Sequence, residues 1–242
     1  MRRVYLYIVV AIALVGAMAC GGSQDGALLP KFDEVTLSIE EPAQYAVNIR
    51  YQRIVNTEDN AIFADIEAQN YCNSFDGYVV EPMDVEVSAQ LLADEYVEAD
   101  GEDYCYNMEQ TVHFTRGDTI LCYETFVESY TGGVAENFSL WYECFDLATG
   151  RLYDFAYLFD GEWGGAMREL ILASLRGETS DAFIEAAEML PMADSVLIID
   201  SGLTFIYQPD VVASFDAGII SLSISDADIA ATGAPLVWVD KQ

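Results

Sequence analysis

The chain has two lysines, Lys31 and Lys241, and a single histidine, His113. Ten basic residues stand against 41 acids, for a formal net charge of −31. Nucleic-acid binding needs clustered Lys and Arg to meet phosphates, so that class is excluded. The lack of histidine thins the catalytic options in turn. A hydrolase triad needs a nucleophile beside its base, and no G-x-S-x-G accompanies His113 in Glu109-Gln110-Thr111-Val112-His113-Phe114. Zinc sites of the H-E-x-x-H type are excluded outright, and no CxxC or Cys/His cluster has zinc spacing. Neither a metal nor a cofactor is therefore expected. The Asp-Gly pairs Asp76-Gly77, Asp100-Gly101 and Asp160-Gly161 lack the earlier acids of an EF-hand loop, and Asp100, Glu102 and Asp103 leave only a looser calcium arrangement open. Long apolar runs are missing too: Val4 to Ala19 is uncharged but has 16 residues, short of the ~20 that span a bilayer.

What is present is enough to fold. Apolar residues make up 52% and aromatics 12% of the 242 residues, too rich for a disordered acidic tail. A chain of this size buries roughly 70% of its unfolded surface.

The N-terminus reads as a processing segment. Arg2 and Arg3 form a positive start, and the uncharged run ends in Gly16-Ala17-Met18-Ala19-Cys20, followed by Gly21-Gly22-Ser23-Gln24-Asp25-Gly26. This resembles the lipobox of bacterial lipoproteins, which implies a signal peptide over 1–19, acylation of Cys20 and a flexible tether over 20–31. A secreted protein with an incidental Cys20, or an uncleaved anchor helix, are the alternatives. Four cysteines are then left, Cys72, Cys105, Cys122 and Cys144, compatible with two disulfides in any of three pairings. Tyr130-Thr131-Gly132-Gly133 reads as a hairpin turn. Centred on Gly133, it sets Cys122 against Cys144, Phe126 against Leu140 and Leu121 against Phe145. A disulfide and two buried small side chains both fit that register.

Alternation and turn residues predict strands at Phe32–Glu41, Gln44–Arg53, Tyr104–Arg116, Thr119–Ser129 and Asn137–Leu147. Helices are expected after Asn56-Thr57 as far as Asn73, and around Leu91, Leu92 and Tyr96. After Gly150 the period changes. Trp163, Met167, Leu170, Ile171, Ser174 and Leu175 share a helical face stopped by Gly177. A second helix is expected from Thr179 or Ser180, turning Phe183, Ile184, Ala187 and Leu190 inward before Pro191. Val196–Asp200 and Leu203–Tyr207 make a hairpin, Pro209–Ala213 a helical turn, Gly218–Ile224 a strand, Asp226–Ala231 a helix and Leu236–Val239 an extended end. The expected class is α+β, an antiparallel sheet with helices packed on it. Two linked subdomains are expected, 32–150 and 151–242.

Two strings resemble a known pattern. Tyr130-Thr131-Gly132-Gly133, then Phe145-Asp146-Leu147-Ala148-Thr149-Gly150-Arg151 and Asp154-Phe155-Ala156-Tyr157-Leu158-Phe159, match a tyrosine with paired glycines followed by "fdl.tGk.l...dlF". Gly202 to Ala213, leading into Phe215-Asp216-Ala217-Gly218, is similar to a "gl.f.y.p.eia.ya.G" string. The pattern belongs to paired extracytoplasmic domains of unknown function. They occur in bacterial lipoproteins, beside polysaccharide deacetylases, and in the lysozyme-sensing region of the anti-sigma-V factor. Val134-Ala135-Glu136 stands where family members carry alanine then histidine. The resemblance implies a cell-envelope lipoprotein, anchored extracytoplasmically to the outer or cytoplasmic membrane. Its implied role is non-enzymatic binding of a cationic lysozyme-like muramidase or of peptidoglycan. The expected ligand surface comprises Tyr130, Thr131, Gly132, Gly133, Glu136, Tyr207, Asp216 and Gly218; the alternative is that Gly132, Gly133 and Gly218 only permit positive φ and that Tyr207 and Phe215 fill the core. A cell-wall hydrolase using two carboxylates across a cleft, or a purely structural envelope protein, are the alternative readings.

Overall fold

A computed structural model describes residues 28–41, 45–98, 104–130, 132, 136–159 and 163–239. Cys20, the segment before it, the start of the tether, the acidic stretch 99–103, Thr131, Gly133, Val134 and Ala135 lie outside the described residues.

Strands β1 (Phe32–Glu41), β2 (Tyr45–Ile54), β3 (Tyr104–Thr115), β4 (Ile120–Tyr130) and β5 (Asn137–Asp146) form one sheet in sequential order. Helices α1 (Ala61–Ser74) and α2 (Val85–Glu98) lie between β2 and β3 in sequence. Then come α3 (Phe155–Phe159), α4 (Gly165–Glu178) and a three-stranded sheet of β6 (Ser195–Ile199), β7 (Gly202–Tyr207) and β8 (Ile220–Ser225), ended by α5 (Asp226–Ala231). The class is α+β, as expected. One pair departs from an all-antiparallel sheet: β2 runs parallel to β3, with Ala46 opposite Cys105 and Arg50 opposite Glu109. The reason is the connection, since two helices carry the chain back across the sheet instead of a tight turn.

Two compact units divide the chain. One takes residues up to Thr111 with Val127–Asn137, the other Val112–Phe126 with Phe138–Gln242. The division expected at residue 150 falls inside the second unit, because Ile120, Cys122 and Cys144 share one buried cluster with Leu158, Ile171 and Phe205.

In the first unit β1 alternates, burying Val35, Leu37 and Ile39, and β2 buries Val47, Ile49 and Tyr51 on the same period. Asn60 caps α1 by accepting from the Ile62 N–H. Phe63, Ile66, Asn70 and Tyr71 then recur at helical spacing and are buried. On α2 the buried residues are Val85, Ser88, Ala89, Leu92 and Ala93.

In the second unit Cys122 and Cys144 form a disulfide with Cα atoms 4.0 Å apart. The Leu147 N–H donates to the Thr119 carbonyl at 3.0 Å, a pair that sits in the register centred on Gly133. β8 buries Ile220, Leu222 and Ile224 and turns Ser221, Ser223 and Ser225 outward. β7 is buried along its whole length. Rings of Phe159, Trp163, Phe205 and Trp238 pack edge to face or tilted at centroid distances of 5.6–6.4 Å.

Three expectations fail here. No α-helix forms over residues 179–190. Ala182 bridges Ala213, and Phe183 donates to the Val212 carbonyl at 3.1 Å, so the backbone bonds a helix would need are used across the chain. Only a 3-10 turn at Ala187–Met189 remains, and Phe183 is 51% exposed. α4 does not stop at Gly177 but runs to Glu178, with Thr179 as its cap. The chain end is not extended but turns, Val239 donating to the Leu236 carbonyl while Trp238 is buried.

A Cβ on Gly202 would overlap the Ile224 carbonyl of the neighbouring strand, whereas one on Gly177 meets nothing within 4 Å. Gly202→Ala is expected to lose about 3 kcal/mol or more through forced separation of β7 and β8. Gly177→Ala, in the last turn of α4 with open space around it, should gain up to about 0.5 kcal/mol. Urea midpoints of the two variants check both signs.

Candidate functional site

The predicted ligand surface is not one kind of place. In the first unit Tyr130 ends β4 half-buried, and Gly132 and Glu136 are exposed. Burial pushes the nearby Cys105 thiol above its ordinary value. The charges of Glu128 and Glu136 add to this, against a backbone hydrogen bond from Tyr130. In the second unit Asp216 is exposed and Gly218 is half-buried at φ +71. Tyr207 belongs to the core instead. It is fully buried and its hydroxyl donates to the Pro191 carbonyl at 3.3 Å. Burial, then the charge of Asp194, pushes that hydroxyl well above the usual tyrosine range. A strand buried on both faces leaves no surface for it.

The segment after Tyr207 has a structural task. The Gln208 amide donates to the Leu140 carbonyl at 2.5 Å and accepts from the Leu140 N–H at 3.1 Å. The Ser195 hydroxyl accepts from the Tyr142 N–H at 3.1 Å. β5 is the last strand of its sheet, and these side chains pair the backbone groups that an edge strand leaves open. Phe215 packs on Phe138 with ring centroids 5.7 Å apart.

On β3, β4 and β5 of the second unit three polar side chains converge. Glu124 Oε2 accepts from the Tyr142 hydroxyl at 2.8 Å and lies 3.2 Å from His113 Nε2. Burial first, then the hydrogen bond and charge of Glu124, raises the Tyr142 hydroxyl well above its ordinary value. Tyr142 is thus a fixed neutral donor rather than a nucleophile. Phe126, at alternate spacing from Glu124 on β4, is 37% exposed. The register centred on Gly133 sets Glu124 against Tyr142 between the Cys122–Cys144 and Phe126–Leu140 pairs, and His113 reaches Glu124 from β3 across the turn at Gly117-Asp118.

The first unit carries its own polar row. The Ser38 hydroxyl donates to Asn48 at 2.7 Å, Asn48 donates to Asn107 at 2.9 Å, and Asn107 donates to Glu128 at 3.2 Å. One row of side-chain bonds therefore crosses β1, β2, β3 and β4. Beside it Arg50 pairs with Glu109 at 2.7 Å. Such a row gathers half-buried hydroxyl, amide and carboxylate groups on one face of the sheet.

Two acids with perturbed carboxyls, the half-buried Asp226 and the buried Glu67, were invisible in the sequence. Arg116, at φ +55, grips Asp226 through both guanidinium nitrogens at 2.8 and 2.9 Å, and Trp238 Nε1 donates to the same carboxylate at 2.9 Å. Burial raises the Asp226 carboxyl, but the bonds from Arg116 and Trp238 outweigh it and hold the group below the usual carboxylate range. Glu67 goes the other way. Its oxygens accept from the Tyr51 hydroxyl at 2.9 Å and the Ile54 N–H at 2.7 Å, yet burial lifts it from 4.5 to about 7. That value suits a general acid, but Glu67 is only 5% exposed, and both oxygens are turned from α1 onto the end of β2. No substrate reaches it.

Among the described residues no group of three or more His, Cys, Asp or Glu gathers closely enough to hold a metal ion. A shallow groove of about 280 Å³ is lined by Gly165, Arg168, Glu169, Ala187 and Glu188. Its cation is occupied, with Arg168 Nη1 donating to the Glu188 and Leu190 carbonyls at 3.2 and 3.1 Å.

No family model matches the sequence, and no curated protein matches it. The fold does have solved neighbours. A DUF3298 family member from Bacteroides fragilis NCTC 9343 superposes with a TM-score of 0.64 at 16% identity, covering 83% of this chain and 92% of that one. A DUF3298 family protein from Pseudomonas aeruginosa PAO1 gives 0.58 at 11% identity, with 85% and 94% covered. At these identities the likeness is one of fold, to a family whose name denotes unknown function.

The raised Glu67 carboxyl has a definite sign in stability. Between pH 4.5 and about 7 the folded chain holds a proton that the unfolded chain has released, so Glu67 costs stability as pH rises through that window. Glu67→Gln removes the titration. The stability of the variant relative to the native chain should therefore rise by about 3 kcal/mol from below pH 4.5 to above pH 7. Urea melts of both proteins across that range check it.

Proposed function

We propose that this chain is a cell-envelope lipoprotein, anchored through Cys20, whose folded part binds a cationic lysozyme-like protein or a cell-wall ligand without catalysing a reaction. The observation that carries the reading is where the positive charge goes. Arg50 pairs with Glu109 and Arg53 with Asp33. Arg116 is locked to Asp226, and Arg151 lies over the Tyr157 ring at 4.5 Å. Arg168 and Arg176 donate to the backbone carbonyls of Glu188, Leu190 and Glu185. Every described arginine is thus turned to an internal partner, while a formal −31 spreads over the chain. Such a field attracts a cationic partner over a Debye length of about 10 Å at 0.1 M salt and speeds its encounter. The Cys122–Cys144 disulfide supports an oxidising, extracytoplasmic setting.

The half-buried Asn107 and Glu128 of the sheet and the exposed Glu136 ahead of β5 are the contacts this reading uses. A row of polar side chains suits a protein or glycan surface better than a small molecule, which prefers an enclosed apolar cavity.

Calorimetric titration with a cationic lysozyme tests the reading, using an unrelated protein of similar positive charge as control. Binding to lysozyme alone that survives roughly 0.5 M salt, where screening is nearly complete within a few ångströms, is the expected outcome. Equal binding to both proteins that vanishes in salt would reduce the acidity to unspecific attraction. The anchor is checked separately: Cys20→Ala should move the protein out of the membrane fraction and remove the acyl mass.

A further inference from the structure

The outward face of α2 carries an apolar stripe. Val79, Met83, Val87 and Leu91 are exposed by 39%, 49%, 44% and 43%, and they recur at every fourth residue. Val87 and Leu91 stand one turn apart on the side of α2 opposite its buried residues Val85, Ala89 and Leu92. Met83 precedes the helix by less than a turn. The stretch ahead of the helix is tied to it, the Tyr78 hydroxyl bonding to Glu95 on α2 and the Val80 N–H donating to the Tyr71 hydroxyl at 3.2 Å. Val87 and Leu91, large apolar groups one turn apart and open to water, with Met83 exposed just ahead of the helix, are more than a lone surface residue, and such patches mark binding sites.

Charge then selects the occupant. Glu81, Asp84, Glu86, Asp94 and Glu95 flank the stripe and are all exposed. No lysine or arginine occurs between Arg53 and Arg116, so nothing basic in that stretch offsets them. A second copy of this chain would bring the same −31 against the face, and an anionic lipid surface would bring the same sign. An apolar stripe bordered by acids is the complement of an apolar stripe bordered by bases.

We propose that the α2 face docks a cationic amphipathic helix, its leucine-type anchors on Val87, Leu91 and Met83 and its basic flanks against Glu81, Glu86, Asp94 and Glu95. The inference goes beyond the function proposed above, since it names a helical ligand and a surface away from the sheet; lysozyme binding can fail while this stands.

The test uses the chain from residue 20 with Cys20→Ser and a fluorescent peptide of leucine and lysine in amphipathic helical order. A peptide of the same composition in scrambled order is the control. The ordered peptide is expected to bind about ten-fold or more tightly than the scrambled one by anisotropy. The double variant Val87→Ser with Leu91→Ser should bring it down to the scrambled level, and Met83→Ser, which lies outside the helix, should weaken it in the same direction. Equal binding of both peptides, or full binding by folded Val87→Ser/Leu91→Ser, overturns the proposal in favour of plain charge attraction. A dimer in sedimentation that these substitutions dissolve overturns it in favour of a second copy. Retention on zwitterionic vesicles that they abolish does so in favour of lipid.

Discussion

Scarcity of positive charge is the constraint on which the rest depends. A chain with 41 acids and 10 bases repels itself when compact, so each cation counts by its position. The Arg116–Asp226 pair shows how. Asp226 begins α5, next to Ser225, whose hydroxyl caps that helix by accepting from the Asp228 N–H. The backbone N–H of Arg116 donates to Asp200 at 2.6 Å and its side chain reaches the Gly202 carbonyl. One arginine in a tight turn therefore fixes the β6–β7 hairpin and the start of the last helix together. Both partners of the pair are largely buried, at 13% and 23% side-chain exposure, so losing one would leave a poorly solvated charge. Arg50–Glu109, with both side chains about half exposed, contributes far less.

Glu67 and Asp226 show that the same functional group is set by its surroundings. Both are carboxylates with donors on each oxygen, but Asp226 faces a full positive charge while Glu67 faces a hydroxyl and an amide. Neutral donors do not offset the loss of water around a charge. Nearby, the Gln110 amide donates to Asn70 at 2.7 Å and accepts from the Gln52 N–H at 3.0 Å. α1 is thus fastened to the sheet by polar groups as well as by Phe63 and Ile66. These bonds fix its register in a way that interchangeable apolar side chains do not.

How much of this was legible follows from the distance over which each cause acts. Local causes read well. Alternation located β1 and β2, Ser201-Gly202 located the β6–β7 hairpin, and the symmetry of apolar residues about Gly133 set Cys122 against Cys144. Causes that act between distant segments did not read. The helical pattern of Phe183, Ile184, Ala187 and Leu190 is real in the sequence, but the Ala182–Ala213 bridge takes the backbone elsewhere. The parallel β2–β3 pair needs knowledge of where two helices carry the chain. Tyr207 entered the expected ligand surface through the resemblance alone, and the neighbouring strands enclose it. The Glu124–Tyr142 contact, by contrast, follows from the same hairpin register that set Cys122 against Cys144.

The acidic field and the apolar stripe of α2 act on different terms of the same equilibrium. Salt screens the field, which relieves self-repulsion in the folded chain but also removes the long-range attraction to a cationic partner. It does not weaken burial of Val87 or Leu91 against a partner, which depends on apolar area. Conditions that favour the folded state by screening therefore shift recognition from charge towards shape and apolar contact. A ligand held by charge alone would be lost at the ionic strength where the protein is most stable. A ligand with both a basic border and an apolar centre would be retained, so the stripe gives the acidic surface a means of discriminating among cations that charge by itself lacks.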